Sequence, residues 1–472
     1  MKIFLVNPPL TRQEAAGKMR RIINLLPPLG IGYIAAVLEQ KGFQVRIIDC
    51  PALNLTHTDL VRLFEAEKPQ IIGFTVTTVS VASAVIAAKD AKAALPHSLI
   101  VAGGPHPTAL PEETMHSGPF DVAVLGEGEE SFLELVRQFQ NRANNFSGIS
   151  GLMYRHNAGL ISTGKRAYIN DLDSLPFPAF HLFPPLSVYH PMPGNVKKTP
   201  YTQIMTSRGC PYQCTFCDRK VFGQLFRGRS PGNVADEIEM LMQRFAVKEV
   251  KFNDDTFNAD VKRVTDICEE ILKRNIRIPW TCRVDANNLS RGLLKIMKRS
   301  GCWQIGFGIE SASPDILKAV KKPMSLEKGR QAVHLAKECG MDVKVSFMFG
   351  LPGETAETIQ RAIGFAKTIP ADIVNFHIFI PFPGTELFQT ISEKGLLLHR
   401  NYQHYCQLNL PQDMHLPFVA QGLTEDQIRR FSAQAYKSFY LRPGYLYSQL
   451  RQIRSPADVY RYWQAFLAVI GL

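Results

Sequence analysis

The sequence predicts an α/β protein in two unlike halves: a doubly wound, Rossmann-like parallel sheet, then a partial (β/α)6 barrel of TIM type and a helical C-terminal tail. Three observations lead there. Short continuous apolar runs recur through residues 1–140, each ending in Gly, Pro, Thr or Asn. Residues 141–200 break that rhythm with a stretch rich in Pro, Gly, Tyr and His. From Thr202 the rhythm returns with a longer period. Continuous apolar runs suit strands covered on both faces, and strands alternating with helices suit parallel sheets.

In the first half, KIFLV (2–6) leads into Asn7-Pro8-Pro9, VRII (45–48) into Asp49-Cys50-Pro51, and IIGFT (71–75) into a Thr-rich turn. LIVA (99–102) runs into Gly103-Gly104-Pro105-His106, and VAVL (122–125) into Gly126-Glu127-Gly128-Glu129. Helical stretches at 32–41, 59–66 and 80–94 separate them. Ligands of such sheets sit beyond the carboxyl ends of the strands, where the small and polar residues collect here. An ordinary dinucleotide is excluded, because no GxGxxG follows the first strand.

Residues 141–200 read as an ordered connector with a few short strands. Beyond it, strands are expected at 202–206, 249–253, 280–284, 304–308, 343–349 and 373–379, with helices at 234–245, 261–274, 289–300, 326–340 and 355–369. Repeats of roughly 25 to 45 residues are βα units, and a barrel keeps its chemistry on the loops after the strands. The tail, 401–472, carries amphipathic segments at 423–439 and 458–470. The domains expected are thus 1–140, 141–200, 201–400 and 401–472.

Hydrophobic residues at 45% and charged residues at 20% exclude a disordered or low-complexity chain. The net charge of +12 is spread without a polybasic block, which disfavours nucleic acid as a partner. MKIFLVNPP breaks at a double proline, unlike a secretory signal, and no apolar run reaches spanning length. Nine cysteines without a secretion signal point to a reducing cytoplasm and thiols available for metal.

The decisive motif is SRGCPYQCTFCDRKVFG, which sets Cys210, Cys214 and Cys217 at C-x3-C-x2-C on the loop after the first barrel strand. Three thiolates at this spacing can grip one cubane [4Fe–4S] cluster and leave one of its four irons open. The alternative is zinc, but structural zinc takes four ligands and no second C-x2-C pair lies nearby. His190 and Cys268, Cys282, Cys302 and Cys339 lack the local spacing. The remaining six cysteines are expected as buried small hydrophobes.

C-x3-C-x-Φ-C with Phe216 before the last cysteine resembles the radical S-adenosylmethionine (SAM) enzymes. The resemblance implies that SAM chelates the open iron and that one electron from the cluster releases a 5′-deoxyadenosyl radical. It further implies SAM contacts at Asp254 and Asp255 in NDDTF, where the family's Gly-Gly-Glu is absent, and at Arg283 in CRVDA. Glu310 in GFGIES, Ser346, and Gly350 in FMFGLPGET complete the implied set. PFPGTEL (381–387) resembles the loop after the sixth strand.

The first half, with Gly73-x-Thr75, GGPHPTALPEE (103–113) and LGEGEESF (125–132), resembles the cobalamin (B12)-binding domain fused to many radical SAM proteins. The contacts implied are Asn7, Pro8, Gly73, Thr75, Thr77, Gly103, Gly104, His106, Gly126, Glu127 and Gly128. The D-x-H-x-x-G motif that ligates cobalt from below is missing, and neither His57 nor His106 has its context. This implies cobalamin held His-off, or a decayed site. The nearest likenesses are the anaerobic magnesium-protoporphyrin monomethyl ester cyclase and the cobalamin-dependent radical SAM methylases. Methyl transfer to an unactivated carbon is therefore expected. Oxidative cyclisation or rearrangement of a tetrapyrrole-like or lipid substrate is the alternative within the class, and a basic metal-binding, RNA-binding or tRNA-modifying protein the alternative outside it. The expected partners are a small-molecule substrate and an electron donor such as flavodoxin or ferredoxin; a lipid substrate would add peripheral membrane contact.

Overall fold

The computed structural model describes residues 1–10, 25–142, 145–157, 159–189, 191, 194–405 and 414–450. Strands β1 (Lys2–Asn7), β2 (Gln44–Asp49), β3 (Ile71–Thr75), β4 (Leu99–Gly103) and β5 (Val122–Val124) pair in parallel in the order β2-β1-β3-β4-β5. Their core residues, from Ile3 to Val124, are essentially buried, as a sheet covered on both faces requires. The order reverses between β1 and β3, the position where open α/β sheets bind ligands.

The sheet does not stop at residue 140. A hairpin, β6 (Leu152–His156) and β7 (Gly159–Ser162), adds two antiparallel strands beyond β5 and makes it seven-stranded. Part of the expected connector is thus an edge of the first sheet. The rest, with three single turns of 3-10 helix between Leu172 and Val188, runs to the barrel.

The barrel half starts with β8 (Tyr201–Ile204). A two-residue ladder, β9 (Ser207–Arg208) against β10 (Arg227–Gly228), then closes the cysteine loop at its base. There follow β11 (Glu249–Phe252), β12 (Trp280–Arg283), β13 (Cys302–Glu310), β14 (Asp342–Phe349) and β15 (Ile373–Ile378). With β8 they form six parallel strands in sequence order, the arrangement expected of a partial barrel.

The covering helices begin where the sequence offers a capping side chain. Ser230, Asp260, Ser290, Ser325, Thr355 and Thr385 each accept the backbone N–H three residues on. The tail helix Glu425–Tyr440 seals the open edge of β15. Tyr440 Oη accepts the Val374 N–H and donates to its carbonyl, and Tyr436 Oη accepts the Phe376 N–H. An edge N–H left bare would invite pairing with another chain. The segment 458–470 lies outside the described residues, as do His190 and Cys406.

Candidate active site between two strand-end faces

The cysteine loop is fixed at both ends before any cofactor is considered. Gly209 has φ +83°, and a side chain there would collide with the Leu225 carbonyl, so only glycine turns the chain into the loop. Cys210 N–H donates to Gly223 O, and Thr215 N–H to Val320 O. Leu387 N–H in turn donates to Thr215 O, which ties the loop to the one after β15. Cys214 is buried, Cys210 half-buried and Cys217 exposed. Cys210 Sγ lies 3.4 Å from Thr256 Oγ1. Burial pushes the Cys214 thiol up, and the Lys322 ammonium pulls the other way.

Among the described residues no three His, Cys, Asp or Glu side chains converge on one point as ligands of a single ion. A four-iron cube takes its three thiolates at separate corners, and the loop offers those three. Cys268, Cys282 and Cys302 are buried in the barrel half and Cys50 in the helical turn after β2, so these four pack as hydrophobes, whereas Cys339 is only half-buried.

Around the rim, Glu310 has the left-handed φ of +69°, and its carboxylate folds back over Gly308. Burial raises its carboxyl, opposed by Lys322 and Arg283. Arg283 is exposed at the end of β12, in register with Gly306. Ser346 stands beside Gly308 in the β13–β14 ladder, and Phe216 packs at the core's margin. At Gly306 a methyl group would meet nothing nearer than 3.7 Å, which leaves the rim room for a ligand. Two residues unnoticed in the sequence matter here. Lys322, in a Lys-Lys-Pro turn, puts a half-buried charge near Glu310 and Cys214. Glu354 accepts the N–H groups of Gly350 and Leu351 at 2.7 and 3.2 Å and so shapes the loop after β14.

On the other face, three strand-end loops are stitched together. Val76 N–H donates to Gly103 O, His106 N–H to Val76 O, and Gly126 N–H to Thr108 Oγ1. Gly104 takes φ +104°, and a side chain there would press on the Val76 backbone. At Gly103 and Gly126 a methyl group would meet nothing nearer than 3.9 Å. With Thr75 and the exposed Thr77 they form an open shelf that suits a planar macrocycle.

Five expected contacts turn inward instead. Gly73 admits the Phe132 and Leu5 side chains, and Gly128 admits Ile34. His106 is 1% exposed, with Nδ1 3.3 Å from Thr78 Oγ1 and its ring edge against Tyr402. Both oxygens of Asp254 are taken by Thr206 N–H, Thr206 Oγ1 and Ser207 Oγ, at 2.5 to 2.7 Å. Glu127 is buried in an ion cluster with Arg208 and Arg227. Asn7 Nδ2 donates to Asp49 Oδ1, so Asn7 and Pro8 stand at the sheet edge beside a buried carboxylate.

The two faces meet. A side chain at Gly384, φ +90°, in the loop after β15, would strike both Asp218, next to Cys217, and Ala109, in the helix after β4. Gly126 likewise faces the Val221 carbonyl of the cysteine loop. Glu113 accepts from Tyr402 Oη and pairs with Arg400 nearby. The cysteine loop and the shelf therefore border one space.

Known proteins agree with this architecture. The B12 binding domain family matches residues 19–136, and the Radical SAM superfamily matches residues 204–366. An uncharacterized methyltransferase of Pyrococcus horikoshii is 36% identical over 449 residues, 94% of either chain. The anaerobic magnesium-protoporphyrin IX monomethyl ester cyclase of Cereibacter sphaeroides is 26% identical, over 88% of this chain and 67% of its own. Among solved structures, the radical SAM methyltransferase TsrM of Kitasatospora setae, with cobalamin and a [4Fe–4S] cluster bound, superposes with a TM-score of 0.71. It is 18% identical and covered over 94% of this chain and 89% of its own. On its fold, its paired domains and its full-length relative, the chain belongs to the cobalamin-dependent radical SAM methyltransferase family, whose cofactors are a [4Fe–4S] cluster, SAM and cobalamin.

Proposed function

We propose that the enzyme transfers a methyl group to an unactivated carbon of a small molecule held between the two strand-end faces. The observation behind this is the contact of Gly384 with both Ala109 and Asp218, which sets the cysteine loop beside the cobalamin shelf. Proximity of that kind is what a radical reaction needs, since reacting atoms must meet in one water-poor cavity.

Cys210, Cys214 and Cys217 hold the cluster in this reading. When bound, the cluster and SAM supply a carbon-centred radical, and cobalamin carries the methyl group. Arg283 and Glu310, of opposite charge across the rim, suit the carboxylate and ammonium of a zwitterionic ligand. Phe216, Asp255, Ser346 and Gly350 frame the same ligand. The Gly350 N–H is already taken by Glu354, so Gly350 serves by its shape. Asp254 ties β8 to β11 and has no oxygen to spare. Thr75, Thr77, Gly103, Gly104 and Gly126 form the cobalamin shelf, and with His106 and His57 turned away from it, cobalamin sits His-off. His57 lies instead against Ser83 and Asp90 on the helical face. An external one-electron donor such as flavodoxin or ferredoxin reduces the cluster in the cytoplasm.

The test is an anaerobic reaction of the loaded enzyme with SAM, reductant and candidate substrates, followed by mass. Replacement of hydrogen by methyl, together with 5′-deoxyadenosine, is expected. Loss of hydrogen without gain of methyl would replace this reading with the cyclase-type one.

A further inference from the structure

Strand side chains alternate, and in the barrel the outward set is apolar: Val250, Phe252, Cys282, Val343, Val345, Val374 and Phe376 are all 4% exposed or less. The inward set is not. Lys251 on β11, Arg283 on β12, Lys344 on β14 and His377 on β15 all point into the bore. Arg283 and Lys344 flank Gly306, which has no side chain to separate them. Lys251 pairs with Thr281, two residues (about 7 Å) below Arg283.

Among the described residues this cluster has almost no counter-charge. The charges acting on Lys251 are Arg283 and Lys344, on Lys344 Arg283, and on His377 both of the latter. Glu310 and Asp255 reach only the Arg283 side. Burial and these like charges lower the Lys251 ammonium to about 7 and that of Lys344 to about 8. The floor is closed by the connector: Asn195 Oδ1 accepts from Lys344 Nζ at 3.1 Å, and Gly194 O from Gln304 Nε2. His377 Nδ1 is shut off from solvent and has no hydrogen-bond partner among the described residues. A polar bore that gathers two amines, a guanidinium and an imidazole with so little negative charge among the described residues suits an anion, whose charge would favour the protonated amines.

We propose that this bore is a subsite for a dianionic phosphoryl-type group of the substrate, phosphate or phosphonate, gripped by Lys251, Lys344 and His377, with Arg283 above it left to SAM. The assignment rests on the methyl-transfer reading for the substrate's place above it, and it names the substrate's class. A single carboxylate would leave most of the positive charge unmatched, whereas a dianion with three acceptor oxygens can take both ammonium groups and the imidazole at once.

The test measures binding alone. Cobalamin- and cluster-loaded enzyme is dialysed at neutral pH against labelled inorganic phosphate and, separately, methylphosphonate, with and without saturating SAM. One phosphate or phosphonate per chain is expected, undiminished by SAM and not displaced by equimolar acetate. Lys251→Met and Lys344→Met should each weaken it at least tenfold while leaving SAM affinity unchanged. Displacement by SAM would overturn the proposal, because the cations would then serve the SAM carboxylate; so would equal competition by acetate. Should either variant lose cobalamin through misfolding, the wild-type competition decides alone. No turnover is involved, so a failure here leaves methyl transfer standing, and a missing methyl product leaves the phosphate site standing.

Discussion

Arg208, two residues before Cys210, sets one guanidinium nitrogen 2.8 Å from Glu127 and the other 2.5 Å from Glu129, and all three side chains are buried. Glu127 and Glu129 follow β5 of the first sheet, so a single arginine joins the shelf to the root of the cysteine loop. Arg227, across the β9–β10 ladder, shares Glu127, and the Tyr33 and Phe222 rings cover the Arg208 guanidinium. Removing one member of a buried charge cluster strands the others without water. Glu127→Gln should therefore cost about 3–5 kcal/mol. Denaturant unfolding checks this, with iron content expected to fall alongside stability. A variant as stable as wild type would show that the two halves are held together elsewhere.

The parallel strands and the cysteine loop were legible in the sequence because their signals are local. Apolar runs, capping residues such as Ser230 and Thr355, and C-x3-C-x2-C all lie within a few residues of one another. What stayed hidden depends on distant partners. Glu127 reads as a strand-end ligand until Arg208, 81 residues on, is seen to claim it. Asp254 reads as a rim carboxylate until Thr206 and Ser207 fold onto it. Short strands were expected between 141 and 200, but not that the hairpin β6–β7 would extend the first sheet, because its pairing with β5 is a distant contact and its outer strand is largely exposed.

The cysteines separate by role. Replacing Cys210, Cys214 and Cys217 by Ala should reduce about four irons per chain to none in anaerobically prepared protein. Cys282→Ala or Cys302→Ala should keep the iron and cost only the stability of a lost buried side chain. Iron analysis of both sets checks this. Retained iron in the triple variant would overturn the cluster assignment.

Glu354 is predicted to act on SAM through backbone geometry. It is fully buried, burial raises its carboxyl to about 7, and it accepts from Gly350, Leu351 and Ser311. In Glu354→Ala the Gly350 and Leu351 N–H groups lose the one oxygen they share, at a cost of about 1–3 kcal/mol. SAM affinity should drop roughly 5- to 150-fold at unchanged iron content, if all of that cost falls on the SAM-bound loop. Calorimetric titration of SAM into the loaded variant reads it directly; unaltered affinity would remove the loop after β14 from the SAM site.

His106 makes the last prediction, and its two readouts are opposite in kind. Its imidazole is buried beside Thr78 and Tyr402, and burial lowers its pKa from the ordinary 6.5 to about 4. Between those values the unfolded chain holds a proton that the native state refuses, so stability falls as the pH drops from about 6.5 towards 4. The loss amounts to about 3 kcal/mol at most. His106→Gln cannot titrate, so its acid unfolding midpoint should move to lower pH relative to its own neutral stability. The corrinoid spectrum of the same variant, and of His57→Gln, should match that of wild type, because neither ring reaches the shelf. A spectrum that loses nitrogen coordination in either variant would make that histidine the lower ligand of cobalt. An acid limb unchanged in His106→Gln would mean that the native state already protonates this ring.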